Sequence, residues 1–171
     1  KEFFPNKKFY LFDDYKKNNN ILSKVDFDKN DIIILPPNCN IDKNIKIDFF
    51  INTRSMQEMN FDVIKSYFDF IHSYIGDNGF FLNINRYEKT SVGHQIIFSE
   101  YPYDNHWKFL ISEPSFNQIS HHFLLTQRTF NKNESDIVGE LNNIKNIGIK
   151  FYGKYKDKNP NPVIINLKSF I

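Results

Sequence analysis

Two short clusters in this chain carry side chains that chemistry uses, and both stand where an apolar run gives way to polar residues. In the first, Ile47-Asp48-Phe49-Phe50-Ile51 leads into Asn52, Arg54, Ser55 and Glu58; in the second, Phe80-Phe81-Leu82 leads into Asn85, Arg86 and Lys89. A guanidinium is a rigid fork that matches a carboxylate or phosphate, so Arg86, with Lys89 close by, suits an anionic group on a substrate or the fixing of a loop, and Arg54 stands at the corresponding end of the first strand. The carboxamides of Asn52 and Asn85 both donate and accept, and Glu58 is placed to serve as a general base or to accept from a substrate hydroxyl. Ser55 and Glu58 also have capping-box spacing, a structural use sufficient by itself. Arg86, Glu88 and Lys89 likewise read as a surface charge cluster, which contributes little when solvated.

A third group lies downstream. Tyr101, Tyr103 and Trp107 offer flat apolar faces with polar tips, which suits stacking on a sugar ring; the rival reading is a core cluster beneath a long loop. His94, His106, His121 and His122 follow the central helix, and a neutral imidazole can remove a hydroxyl proton. His106, beside Trp107, is the first choice among them and His94 the second. Their spacing matches no standard metal motif.

These groups need a scaffold that brings them together. After the Ile47 to Asn52 strand, apolar residues recur at Phe61, Ile64, Phe68, Ile71 and Ile75, the three-and-four spacing of an amphipathic helix, with Asn60 as N-cap and Gly76 as stop. Gly76-Asp77-Asn78-Gly79 then turns the chain into a second strand, Phe80 to Asn85. Strand, helix, strand at this spacing is a right-handed βαβ unit, and open α/β sheets bind ligands outside the carboxyl ends of such strands. Upstream, Phe9 to Phe12 is a short strand stopped by Asp13-Asp14. Asp31 to Leu35 is another, apolar on both faces as a buried parallel strand is, stopped by Pro36-Pro37-Asn38. Tyr15 to Val25 is too polar to read as a helix. Downstream, Gln95 to Phe98 and His122 to Thr126 read as strands joined by a long polar-aromatic connection, and Ser135 to Ile147 as a short helix.

At 171 residues the chain fits one domain, with 1–133 as its body and 134–171 as an extension packing on it. A net charge of +2 with interleaved lysines and acids argues against nucleic acid as partner. The lone Cys39 has no internal disulfide partner, and no apolar run is long enough for a membrane span or signal peptide, so the expectation is a soluble, cytoplasmic protein. Alanine is absent while Asn, Ile, Lys and Phe abound, the bias of AT-rich codons, which weakens arguments from any single Asn or Lys. The chain opens on Lys1 and enters a strand pattern within ten residues, which reads as part of a longer protein.

Asn52-Thr53-Arg54-Ser55-Met56-Gln57-Glu58-Met59, Asn85-Arg86-Tyr87-Glu88-Lys89 and Glu100-Tyr101-Pro102-Tyr103-Asp104 together resemble the sugar O-methyltransferases, a branch of the class I S-adenosylmethionine-dependent methyltransferases. The match spans roughly Phe9 to Arg128. The resemblance implies an α/β, Rossmann-like domain with a mostly parallel sheet and an antiparallel C-terminal edge. The family's glycine-rich first strand and the first βα unit are not in this chain. Implied too is methyl transfer from S-adenosyl-L-methionine to a hydroxyl of a sugar or sugar nucleotide, in bacterial surface polysaccharide biosynthesis. On that pattern Asp13 accepts from the cofactor ribose, Asn38 approaches the adenine, and Asn52 and Ser55 lie on the cofactor side. The substrate falls to Arg54, Arg86, Lys89, Tyr101, Tyr103 and Trp107, and the base to His106, Glu58 or His94. Asp13 and Pro36-Pro37-Asn38 are also ordinary turn residues. Some members of the family use a divalent cation, although nothing in the spacing here indicates one. Two other readings stand beside this one: a non-catalytic methyltransferase-like module that binds carbohydrate or a partner protein, and another open α/β transferase whose nucleotide-sugar phosphates would seek Arg86 and Lys89.

Overall fold

The N-terminal strand is cut short because a helix begins almost at once. The computed structural model describes residues 4–37, 39–90, 93, 95–131 and 136–155. It opens with β1 (Phe9–Tyr10), α1 (Phe12–Lys17), β2 (Ile21–Leu22), α2 (Lys24–Lys29), β3 (Ile32–Ile33) and β4 (Asn40–Ile41). Local capping overrides the polar composition that hides these helices from periodicity. The Asp14 carboxylate accepts from the Leu11 N–H at 3.0 Å, and Ser23 forms a reciprocal box with Asp26.

β1 pairs with β3 and β2 with β4, both in parallel, as separate two-stranded sheets. Tyr10, Tyr15 and Leu22 bury their side chains in a small cluster between them. The expectation of a strand at 31–35 covered on both faces is corrected here. Only Ile32 and Ile33 of this run pair, both are half-buried, and Ile34 is 56% exposed.

The main sheet follows: β5 (Ile47–Thr53), α3 (Phe61–Tyr74), β6 (Ile75–Arg86), β7 (Glu88–Lys89), β8 (Ile96–Ile97), β9 (Trp107–Pro114), β10 (His121–Arg128) and the helix α4 (Ile137–Tyr155). Its order is β5-β6-β10-β9, with β5 and β6 parallel and β10 antiparallel to both of its neighbours. Three of the four strands therefore run one way, and the chain is mixed α/β. Two expectations are corrected. The antiparallel strand lies inside the sheet, not at its edge, and the edge is β9, a strand within what reads as an irregular connection. Residues 95–98 supply only the two-residue β8, paired with β7.

α3 forms as its spacing predicts, capped by Asn60, whose side chain accepts from the Val63 N–H at 2.9 Å. Ile64, Phe68 and Ile71 face the sheet and pack with Phe81, Trp107 and Leu124. Each such side chain contributes about 1.5–3 kcal/mol on burial. Ile137, Leu141 and Ile144 of α4 enter the same core. The other face of the sheet carries the cross-strand row Ile51, Leu82, Leu125 and Ile111, and its two ends are 59% and 43% exposed. The N-terminal pieces are fastened to α3 by the Tyr74 hydroxyl, which donates to the Ile41 carbonyl at 2.8 Å. Among the described residues no helix is long and apolar enough to cross a membrane.

Candidate functional site

Because β5 and β6 are parallel and in register, with Asn52 opposite Asn83 and Thr53 opposite Ile84, their polar tips share one edge of the sheet. Alternation turns Asn83 and Asn85 toward the covered face, where both are fully buried. A carboxamide there must find partners. Asn85 Nδ2 donates to Asn52 Oδ1 at 2.9 Å and to Asn83 Oδ1 at 2.5 Å, and Asn83 Nδ2 donates to the Tyr103 hydroxyl at 3.1 Å. Asn85 Oδ1 accepts from the Gln57 N–H at 3.2 Å, while Gln57 Oε1 accepts from the Arg86 N–H at 2.8 Å. The loop after β5 is thus locked to the tip of β6.

This network changes the role of Ser55. Its hydroxyl accepts from Asn52 Nδ2 at 2.6 Å and makes no cap, so the expected capping box does not form. The turn at Met56–Glu58 is a 3₁₀ turn closed through the backbone, with the Glu58 N–H on the Ser55 carbonyl at 3.0 Å. Asn52, with its oxygen receiving Asn85 and the Met56 N–H and its nitrogen on Ser55, is likewise engaged within the chain.

Glu58 is bound by Lys89, and the hydrogen bond from that ammonium, followed by one from Gln57, holds its carboxyl below the usual carboxylate range. A carboxylate so held is a weaker base. Arg54 and Arg86 differ from Lys89: neither guanidinium has a carboxylate partner among the described residues. Arg54 sits at φ +60°, in the left-handed region, and its N–H bonds the Ile84 carbonyl at 2.7 Å.

Sequence reasoning passed over His121 as a site residue, although it is the strand residue directly opposite Arg86. It is 1% exposed, and burial, then the charges of Arg86 and Arg54, lower its pKa to about 4, so the ring is neutral at pH 7. Gln118, in the turn joining β9 to β10, bridges the group. With its amide turned so that both neighbours are satisfied, the oxygen accepts from the Arg54 guanidinium at 3.2 Å and the nitrogen donates to His121 at 3.0 Å. Only recognition of β9 would have revealed that this turn returns to the strand tips.

The aromatic group is elsewhere. Since β9 runs the same way as β6, Trp107 pairs with Arg128 while Arg86 pairs with His121, seven residues away along β10. That separation is about 23 Å at strand rise. Trp107 is fully buried, donates from Nε1 to His72 Nε2 at 3.1 Å, and carries Arg128 over its ring. Tyr101 is 2% exposed and Tyr103 packs on Phe68, and burial pushes both phenols well above their ordinary pKa. The expectation that these rings stack on a sugar is therefore corrected for Tyr101 and Trp107, which are core, while Tyr103 is half-buried against that core with its hydroxyl on Asn83. His106 stands beside Trp107 at that far end, its Nδ1 on the Thr129 carbonyl at 3.1 Å, which removes it from the candidates for a base at this edge.

Of the remaining expectations, Asn38 and His94 lie outside the described residues. Asp13 falls in the first turn of α1, its side chain 86% exposed and 3.9 Å from Lys16. Among the described residues no three His, Cys, Asp or Glu side chains converge on a metal position. A groove of about 750 Å³ between the N-terminal pieces and α3 is lined by Leu35, Pro36, Pro37, Tyr67 and Phe70 among others, and shares no lining residue with the strand tips. No protein-family model, curated protein or solved structure significantly matches this chain.

Proposed function

We propose that the β5/β6 edge binds the acceptor in an S-adenosylmethionine-dependent O-methyl transfer to a sugar or sugar-nucleotide hydroxyl. The single observation that carries the reading is the convergence of Asn52, Arg54, Asn85 and Arg86 on one edge of a parallel strand pair, in the segments that resemble the sugar O-methyltransferases. S-adenosylmethionine, when bound, would supply the electrophilic methyl group and leave as S-adenosylhomocysteine, with the hydroxyl proton passing to solvent. The chain's own contribution is positional. The asparagine block fixes the loop after β5, Arg54 and Arg86 hold the acceptor, and alignment of the hydroxyl carries the rate, since orientation alone can remove several kcal/mol of barrier.

A second reading, binding without chemistry, is favoured by the state of the expected bases: Glu58 is tied to Lys89 and His106 lies at the far end of the sheet. Calorimetry with S-adenosylhomocysteine separates the two. The methyl-transfer reading expects saturable heat with the folded full-length protein, and no heat removes it while leaving a binding module.

A further inference from the structure

We infer that Arg54 and Arg86, seated over His121 and Gln118, form a receptor for a phosphate group carried by the acceptor. The inference rests on the reading above only in calling the ligand an acceptor; the site itself stands on its geometry. The chain has three arginines. Arg128 is spent on Asp104, reached by Nη2 at 2.9 Å. The other two stand at the same sheet edge, and Glu58, which feels the charge of Arg86, is already bound by Lys89.

Two guanidiniums without a carboxylate repel each other, and an anion bound between them would relieve that repulsion. The elements beneath hold the pair in place. Arg86 is opposite His121 in the antiparallel ladder, so their side chains leave the sheet on one face. Gln118 accepts from the Arg54 guanidinium and donates to His121, linking the β9–β10 turn to the tip of β5. A neutral imidazole at the base adds no third cation, yet carries an N–H that can donate. Arg54 reaches its place from a backbone conformation that side chains other than Gly adopt at a cost, and strain of this kind collects at ligand sites. A single planar fork pairs with carboxylate and phosphate alike, but two forks acting on one group need more than two acceptor oxygens, so a phosphate or pyrophosphate is the matching ligand class.

The test uses the full chain titrated with inorganic pyrophosphate and, separately, with uridine diphosphate, by calorimetry. Saturable binding of both is expected, with Arg54→Gln and Arg86→Gln each weakening it about tenfold or more, as loss of a charge-assisted pair does. Arg86→Lys keeps the charge but loses the fork, and should recover only part of the affinity. Arg54→Gly is the discriminating variant, because glycine is at ease at this φ: the receptor predicts lost anion affinity with an undiminished melting temperature. No saturable heat at millimolar anion, or binding unchanged in the double Arg54→Gln, Arg86→Gln variant, would overturn the proposal. Anion binding without S-adenosylhomocysteine binding keeps the receptor and removes methyl transfer. The reverse result overturns the receptor alone.

Discussion

Asn85 donates to Asn52 across the parallel strands β5 and β6 at 2.9 Å, and through that bond the tips of two strands and the loop between them become one polar block. The geometry follows from alternation. Asn85 faces the covered side of the sheet and is fully buried, so its carboxamide depends on Asn52, Asn83 and the Gln57 N–H for its hydrogen bonds.

Truncating it should be costly. Asn85→Ala strands the Gln57 N–H and the Asn83 oxygen, and each unsatisfied buried group costs about 1–3 kcal/mol, so a loss of about 2–6 kcal/mol is expected in urea denaturation. Asn85→Asp is nearly isosteric but turns two donors into acceptors facing Asn83 Oδ1 and Asn52 Oδ1. It should lose at least as much near neutral pH and regain part of the loss when the new carboxyl is protonated. Stabilities within experimental error of the parent for both variants would show that the block does not hold the tips.

Trp107 tests the division between core and site. Its ring is fully buried and its indole N–H is spent on His72. Trp107→Ala should therefore cost about 3–5 kcal/mol, the usual range for a buried large aromatic. Trp107→Phe should cost less, leaving His72 without its donor. Pyrophosphate affinity of the folded Trp107→Phe chain should equal that of the parent. A selective loss of ligand binding, with stability retained, would return Trp107 to the site.

The helix α3 was legible because three signals agree over Phe61–Tyr74: apolar spacing, a capping Asn60 and a polar turn after it. The parallel pair was legible for the same reason, since a helix of that length between two strands leaves few other topologies. β9 was not, because a bulge interrupts its alternation. The register shifts between Leu125 and Thr126, so Leu110 and Ile111 are both exposed side by side, and the period-two pattern fails in the middle. With β9 hidden, the turn at Gln118 and the place of His121 were hidden with it. The aromatic residues misled for a different reason: composition fixes their number, while only packing decides whether a ring is core or cleft. The left-handed Arg54 gives no sequence signal, as the residue type is one that rarely adopts it.

His122 gives a pH dependence whose sign is determined by its surroundings. The ring is fully buried beneath α4, with Nδ1 on the Tyr87 hydroxyl at 3.2 Å and Nε2 on Ser112 Oγ at 2.8 Å, and Ser112 in turn donates to Glu140. Ser112 gives its proton to the carboxylate and so accepts from Nε2–H, which leaves Nδ1 to accept from Tyr87. Burial lowers the pKa to about 4. The unfolded chain takes up a proton near the ordinary value of about 6.5 while the folded chain does not, so the contribution is full above that pH and is lost as pH falls toward 4. The slope for this one group is at most about 1.4 kcal/mol per pH unit. Urea midpoints of the parent and His122→Gln, measured across that window, should differ in slope by up to that amount. Parallel curves would mean that His122 takes up its proton in the fold as readily as in the unfolded chain.

Gly76 and Gly79 bracket what reads as a simple turn, but both lie within β6, and the left-handed residue there is Asn78 at φ 62°. The two glycines therefore answer to space, not to backbone conformation. A Cβ on Gly79 would stand 2.7 Å from Ile75 Cγ1 and 2.9 Å from the Gly76 carbonyl oxygen, and the second of these is backbone that cannot move aside cheaply. On Gly76 the nearest atom is 3.6 Å away, an ordinary contact. Gly79→Ala should thus destabilise by about 1–3 kcal/mol, as overpacking does, while Gly76→Ala should lie within about 0.5 kcal/mol of the parent. Thermal melts of the two variants side by side decide it. Equal costs would mean that the close approach of Gly79 to Ile75 does not constrain the start of β6, and with it the register that carries Asn83 and Asn85 to the tips.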